Sequence, residues 1–152
     1  MAENLIYNPA FASLGTADRV GDATRRMLEH RVSDLPVVDA EGRLVGLFKL
    51  DRLFASLLPK AALLGYGVPD LSFVSDSVAE LRERMRAIEG EPVGRFVVKP
   101  EHVAYPDTSP VEIVLLLYKG ANNIPVVARD GGQLLGMAAA RDVLTALHGG
   151  EG

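Results

Sequence analysis

The chain has 152 residues, 48% of them hydrophobic and 24% charged, with a formal net charge of −4. A core can form at that length without a covalent staple, and the absence of cysteine excludes disulfides, thiolate metal sites and cysteine nucleophiles together. The acidic balance, the 6% aromatic share and the lack of Trp disfavour nucleic acid as a partner.

Met1-Ala2-Glu3-Asn4 lacks the basic and apolar segments of a signal peptide. The longest unbroken apolar run, residues 113–118, is too short for a membrane span. A soluble, cytoplasmic protein with no membrane partner is therefore expected. Residues 7–11 read as an extended piece. Val20, Ala23, Met27 and Leu28 then fall on one apolar face of a helix. Two short strands follow, Asp34-Leu35-Pro36-Val37-Val38 and Leu44-Val45-Gly46-Leu47-Phe48, joined by a turn at Gly42. A helix carrying Leu50, Leu53, Phe54, Leu57 and Leu58 stops at Pro59.

Residues 61–74 read as a loop. Ser77-Val78-Ala79-Glu80 is a capping box that opens a helix with Val78, Leu81, Met85 and Ile88 on one face, closed by Gly90. A second extended piece covers residues 97–101. The run at 111–118 is so uniformly apolar that its helix is expected to be buried on most sides. The strands Asn123-Ile124-Pro125-Val126-Val127 and Leu134-Leu135-Gly136-Met137-Ala138 flank a turn at Gly131-Gly132, and a helix with Val143, Leu144 and Leu147 ends at Gly149-Gly150.

The second half repeats the first. Pro125 follows Pro36 by 89 residues and Gly136 follows Gly46 by 90, one extra turn residue making the difference. The order strand, helix, strand, strand, helix is thus written twice. The expected division is a first repeat over 1–60, a linker with a helix over 61–91 and a second repeat over 92–149.

This doubled pattern resembles a tandem pair of cystathionine-β-synthase (CBS) domains, a Bateman module, over residues 5–59 and 93–148. The resemblance implies an α/β fold of two βαββα repeats about a pseudo-twofold axis, and a regulatory role with an adenine nucleotide as ligand rather than a cofactor. It also implies a homodimer formed through helices, acting on a protein target the sequence does not identify. The family's ligand motif is Gly-x-x-Thr/Ser-x-x-Asp, in which the hydroxyl and helix start face a phosphate and the Asp accepts from the ribose. The second copy, Gly136 to Asp142, keeps the Asp at Asp142 but has Ala139 at the hydroxyl position, with Arg141 able to supply a guanidinium instead. The first copy, Gly46 to Arg52, has Lys49 at the hydroxyl position and Arg52 at the Asp position, and Asp51 is one residue early. That copy is expected to be empty of nucleotide or to take something more anionic.

The remaining candidate ligand-binding residues are Asn123, Ile124 and Pro125 at the second Pro-Val strand, and His102 after the extended piece of the second copy. Each also has a purely structural role open to it: turn chemistry for the asparagine, core packing for Ile124, a helix-dipole partner for Asp142. His30, His102 and His148 show no metal-ligand spacing, and no nucleophile elbow, zinc-protease motif or phosphate loop occurs, so no enzyme is expected. Two other readings stand beside the nucleotide sensor. One is a protein-interaction module with degenerate clefts; the other is a binder of another adenosyl ligand such as S-adenosylmethionine.

Overall fold

The structure, a computed structural model, describes residues 6–58 and 77–149. Pro59, the expected loop at 61–74 and Gly150 lie outside the described residues. In chain order the elements are β1 (Leu14–Gly15), α1 (Val20–His30), β2 (Asp34–Val38), β3 (Leu44–Lys49) and α2 (Leu50–Leu57). The linker helix α3 (Val78–Ile88) and a 3-10 turn (Val93–Phe96) lead to β4 (Val97–Val98), α4 (Pro110–Tyr118), β5 (Asn123–Val127), β6 (Leu134–Ala139) and α5 (Ala140–His148). This is the expected α/β fold of two repeats.

The two hairpins are copies down to their irregularities. Leu35 pairs with Phe48 and Ile124 with Ala138, and each ladder carries a register shift, at Val37/Val38 and at Val126/Val127. Gly42, Gly131 and Gly132 have φ of 80°, 84° and 75°, which L side chains rarely adopt, so the turns fall where glycine permits them. Asp39 braces the first turn. Its carboxylate accepts from the backbone N–H groups of Arg43 and Glu41, both at 2.9 Å, and from Arg43 Nε at 3.0 Å. Those bonds, the Arg43 backbone N–H foremost, hold the Asp39 carboxyl below its ordinary pKa.

The extended leaders do not stay with their own repeats. Residues 97–98 form β4, which pairs antiparallel with β3 of the first repeat, Leu47 opposite Val98. Asn8, in the other leader, bridges Met137 of β6, exchanging bonds of 2.8 and 3.0 Å. Pairing within each repeat is left to later residues: Leu14 lies parallel to Val37, and Ala104 to Val126. Each second strand is therefore flanked by its own hairpin partner and by the other repeat's leader.

That crossing explains the glycine of each Leu-x-Gly motif. A Cβ on Gly46 would lie 2.6 Å from the Val98 carbonyl oxygen, and one on Gly136 2.8 Å from that of Asn8. The turns also clasp each other, with Leu44 N–H donating to Gly132 and Leu134 N–H to Gly42, at 3.1 and 2.9 Å. Between the hairpins Leu47, Val127, Leu134 and Met137 make a shared core. The cores of the two repeats lie to either side, and Ile6 is part of the second repeat's core although it belongs to the start of the first repeat.

The linker helix serves the first repeat. Ser77 Oγ accepts from the Glu80 N–H at 3.2 Å, as a helix start requires. Met85 and Ile88 pack against the first core. Just beyond, the carbonyls of Glu91 and Glu89 accept from Val20 and Gly21, both at 2.9 Å, and so satisfy orphan N–H groups of the first turn of α1.

Two expectations about helix faces change. Val20, Ala23 and Met27 are buried, but Leu28, a further 100° around the helix from Met27, is exposed. The uniformly apolar helix α4 is not enclosed: Ile113 is buried, whereas Val111 is 77% and Tyr118 85% exposed. One helix laid on a two-stranded ladder has a single face to bury. Likewise Leu53 and Val143 enter the cores of their repeats while Phe54, Leu58, Leu144 and Leu147 stay exposed.

Gly46→Ala and Gly136→Ala are each expected to lower the unfolding free energy by about 1–3 kcal/mol, the usual range for overpacking. At Gly94 an added methyl meets nothing within 4 Å, so Gly94→Ala should change stability by less than about 0.5 kcal/mol. Urea titrations of the three variants check this.

Candidate functional site

The crossed arrangement creates two clefts related by the pseudo-twofold. In each, the start of one repeat's last helix faces the Pro-Val strand of the other repeat, and a leader forms the third wall. The cleft at α5 has a volume of about 650 Å³ and is lined by Ala139 to Asp142, by His30 to Pro36 and by leader residues that include Phe11 and Ala12. The cleft at α2 has about 140 Å³ and is lined by Lys49, by Gly120 to Ile124 and by Pro100, Glu101 and His102. Ligand sites of small molecules run to roughly 300–1,000 Å³, so the first cleft is of that size and the second is not.

The difference follows from side chains at matching positions. Ala139 corresponds to Lys49, because Asn123↔Ala139 repeats Asp34↔Lys49 in the hairpin registers. Ala12 corresponds to His102, since Leu14 and Ala104 occupy the same place in their bridges. Two alanines leave open in the large cleft what a lysine and a histidine fill in the small one.

The candidate residues thus divide between two places. Ala139, Arg141 and Asp142 share the large cleft, while Lys49, His102 and Ile124 share the small one. Asn123 borders both. Pro125 is fully buried in the hairpin, and Arg52, at the Asp position of the first copy, is exposed and lines neither cleft. Asp51 is exposed as well.

Asp142 works for its helix as well as facing the cleft. Its Oδ2 accepts from the Ala139 N–H at 3.0 Å, an interaction the helix start favours, and its Oδ1 has no partner among the described residues. The large cleft also holds His30, Arg31 and Arg141 as potential cations and Asp34 as a second carboxylate.

Asp34 was not among the residues singled out, nor were Arg31, Ser33 and the Leu35-Pro36 strand. The signal for them was present in the 89-residue offset. Were the repeats paired head to head, the first copy's Pro-Val strand would face the second copy's last helix.

Asp34 and Asn123 meet on the axis and divide the clefts. Asn123 Nδ2 donates to Asp34 Oδ2 at 3.1 Å, both side chains partly buried. Among the described residues no group of three or more His, Asp or Glu is placed to hold a metal ion. No helix among the described residues is long and apolar enough to cross a membrane.

Two βαββα units interlocked about a pseudo-twofold, with a cleft on each side of the axis, define a CBS pair. The CBS domain pattern matches residues 5–58 and 93–149, and the chain belongs to that family. No curated protein matches it. Among solved structures, the CBS-pair protein CBSX2 from Arabidopsis thaliana is 23% identical with a TM-score of 0.69, covering 94% of this chain and 91% of that one. CBSX2 in complex with AMP is 24% identical with a TM-score of 0.65, covering 96% and 93%. Protein MJ1004 from Methanocaldococcus jannaschii is 23% identical with a TM-score of 0.67, covering 95% of this chain, which spans 58% of that protein. At such identities these likenesses establish the fold.

Asn123→Ala removes the donor to Asp34 and should cost about 1 kcal/mol of stability in urea titration. Asn123→Asp sets two carboxylates across the axis and should cost more than Asn123→Ala at pH 7. The excess should shrink as pH falls through the carboxylate range, because a shared proton relieves like-charge repulsion.

Proposed function

We propose that this chain is a regulatory, non-catalytic module that binds one adenine nucleotide, in the cleft at α5. The observation that carries this reading is the inequality of the clefts. The one with ligand-sized volume is also the one that keeps the motif aspartate, Asp142, at its helix start. Adenine nucleotide as the ligand class is supported by family membership and by the AMP complex of the structurally similar CBSX2. In this reading Asp142 Oδ1 accepts from the ribose, Arg141 stands where the motif hydroxyl is missing, and the small cleft with Lys49 and His102 takes no nucleotide. The module works in the cytoplasm, and occupancy alters its shape or self-association toward a protein target.

AMP, ADP or ATP at 100 times Kd should stabilise the protein by about 2.7 kcal/mol, raising Tm by roughly 5–10 °C. Asp142→Ala should abolish the shift, whereas Asp51→Ala should leave it intact. A flat response to all three nucleotides contradicts the reading. A shift with S-adenosylmethionine alone would move the ligand class within the same cleft, and a flat response to every adenosyl compound would favour an interaction module with degenerate clefts.

The exposed apolar side chains of α4 and α5, with Leu144 at 68% and Leu147 at 65% exposure, support a homodimer formed through helices. Light scattering should give twice the chain mass, and Tyr118→Glu with Leu147→Glu should reduce it to one. A monomeric wild-type protein contradicts this.

A further inference from the structure

Arg31 is the one non-glycine among the described residues with positive φ, at φ 55° and ψ 47°. It ends α1, where the N–H groups of Arg31 and Val32 close back on the Met27 carbonyl. The left-handed conformation is demanded by that closure, and glycine meets the demand without a steric cost. The second repeat meets it that way: its matching residue, 89 positions on, is Gly120, with φ 109°. The first repeat holds an arginine in a strained conformation where its own copy shows that glycine serves.

The guanidinium is not engaged elsewhere. Arg19, Arg25, Arg26, Arg43, Arg95 and Arg129 each bond an acidic side chain or a carbonyl. Arg31 is exposed and has no partner among the described residues, and it lines the large cleft together with Arg141. Gly120 lines the small one. Strain retained at the wall of a cleft points to a role in that cleft.

We propose that Arg31 is a phosphate-holding residue of the large cleft, its planar fork taking two phosphate oxygens of the ligand. The left-handed backbone is the conformation that carries it there. This rests on the nucleotide reading and adds to it a second cation, contributed by the other repeat, so that one phosphate group ties the two repeats together.

Calorimetric titration of the full chain with ADP and with adenosine, beside thermal unfolding without ligand, tests the assignment. Arg31→Gly should bind ADP about tenfold more weakly and adenosine within about twofold. Without ligand it should melt at or slightly above wild type. Arg31→Lys, which keeps the charge but not the fork, should fall between wild type and Arg31→Gly for ADP. Unchanged ADP affinity in Arg31→Gly, or equal weakening of ADP and adenosine, overturns the assignment while leaving the nucleotide reading in place. A melting point clearly below wild type contradicts the claim of strain. Wild type binding neither compound removes the nucleotide reading and this assignment with it.

Discussion

Every later feature of the molecule depends on the exchange of leaders between the repeats. With Asn8 paired to Met137 and Val98 to Leu47, neither repeat completes its own sheet, and each supplies the outer strand of the other. The constraint is steric as much as hydrogen-bonded. The leader backbone lies so close to the second strand that only glycine fits at 46 and 136. A chain wired this way cannot separate its halves without breaking both ladders, the shared core around Leu47 and Met137 and the mutual clasp of the turns at Gly42 and Gly132. The shared core is smaller than the core of either repeat, but it lies between them and joins them into one unit.

The same exchange builds the clefts. Beyond their paired residues the leaders run on as Ala10-Phe11-Ala12 and Pro100-Glu101-His102, each along a wall between the last helix of one repeat and the Pro-Val strand of the other. Backbone symmetry makes two such clefts, and side chains then make them unequal. Alanines at 12 and 139 open one, and His102 and Lys49 fill the other. The cleft with room is also the one with Asp142 and, on the opposite repeat, Arg31. One repeated backbone geometry thus carries two unequal clefts.

Much of the fold was legible in the sequence. The Pro-Val strands, the glycine turns, the Ser77 cap and the burial of Val20, Ala23, Ile113 and Val143 follow from local periodicity and turn chemistry, which the repeat doubles in strength. Partner choice was not legible. An extended piece such as 97–98 carries no mark of which strand it will join, because pairing is decided by approach through space. For the same reason His102 and Ile124 looked like companions of Asp142 by lying in the same copy, whereas the crossed arrangement puts them in the other cleft and brings Arg31 and Ser33 of the first repeat to Asp142. The exposure of α4 had no local signal either. A run from Ile113 to Leu117 reads as enclosed, and only the count of layers around it says otherwise.

The proposed function gives the symmetric scaffold one nucleotide site, not two. A crystal structure of the protein grown with saturating ADP tests it most directly. One nucleotide per chain is expected, lying between Asp142 and the Asp34–Pro36 strand, with the Lys49 cleft free of nucleotide. Nucleotide in both clefts, or in the Lys49 cleft alone, would rule out a single site at Asp142.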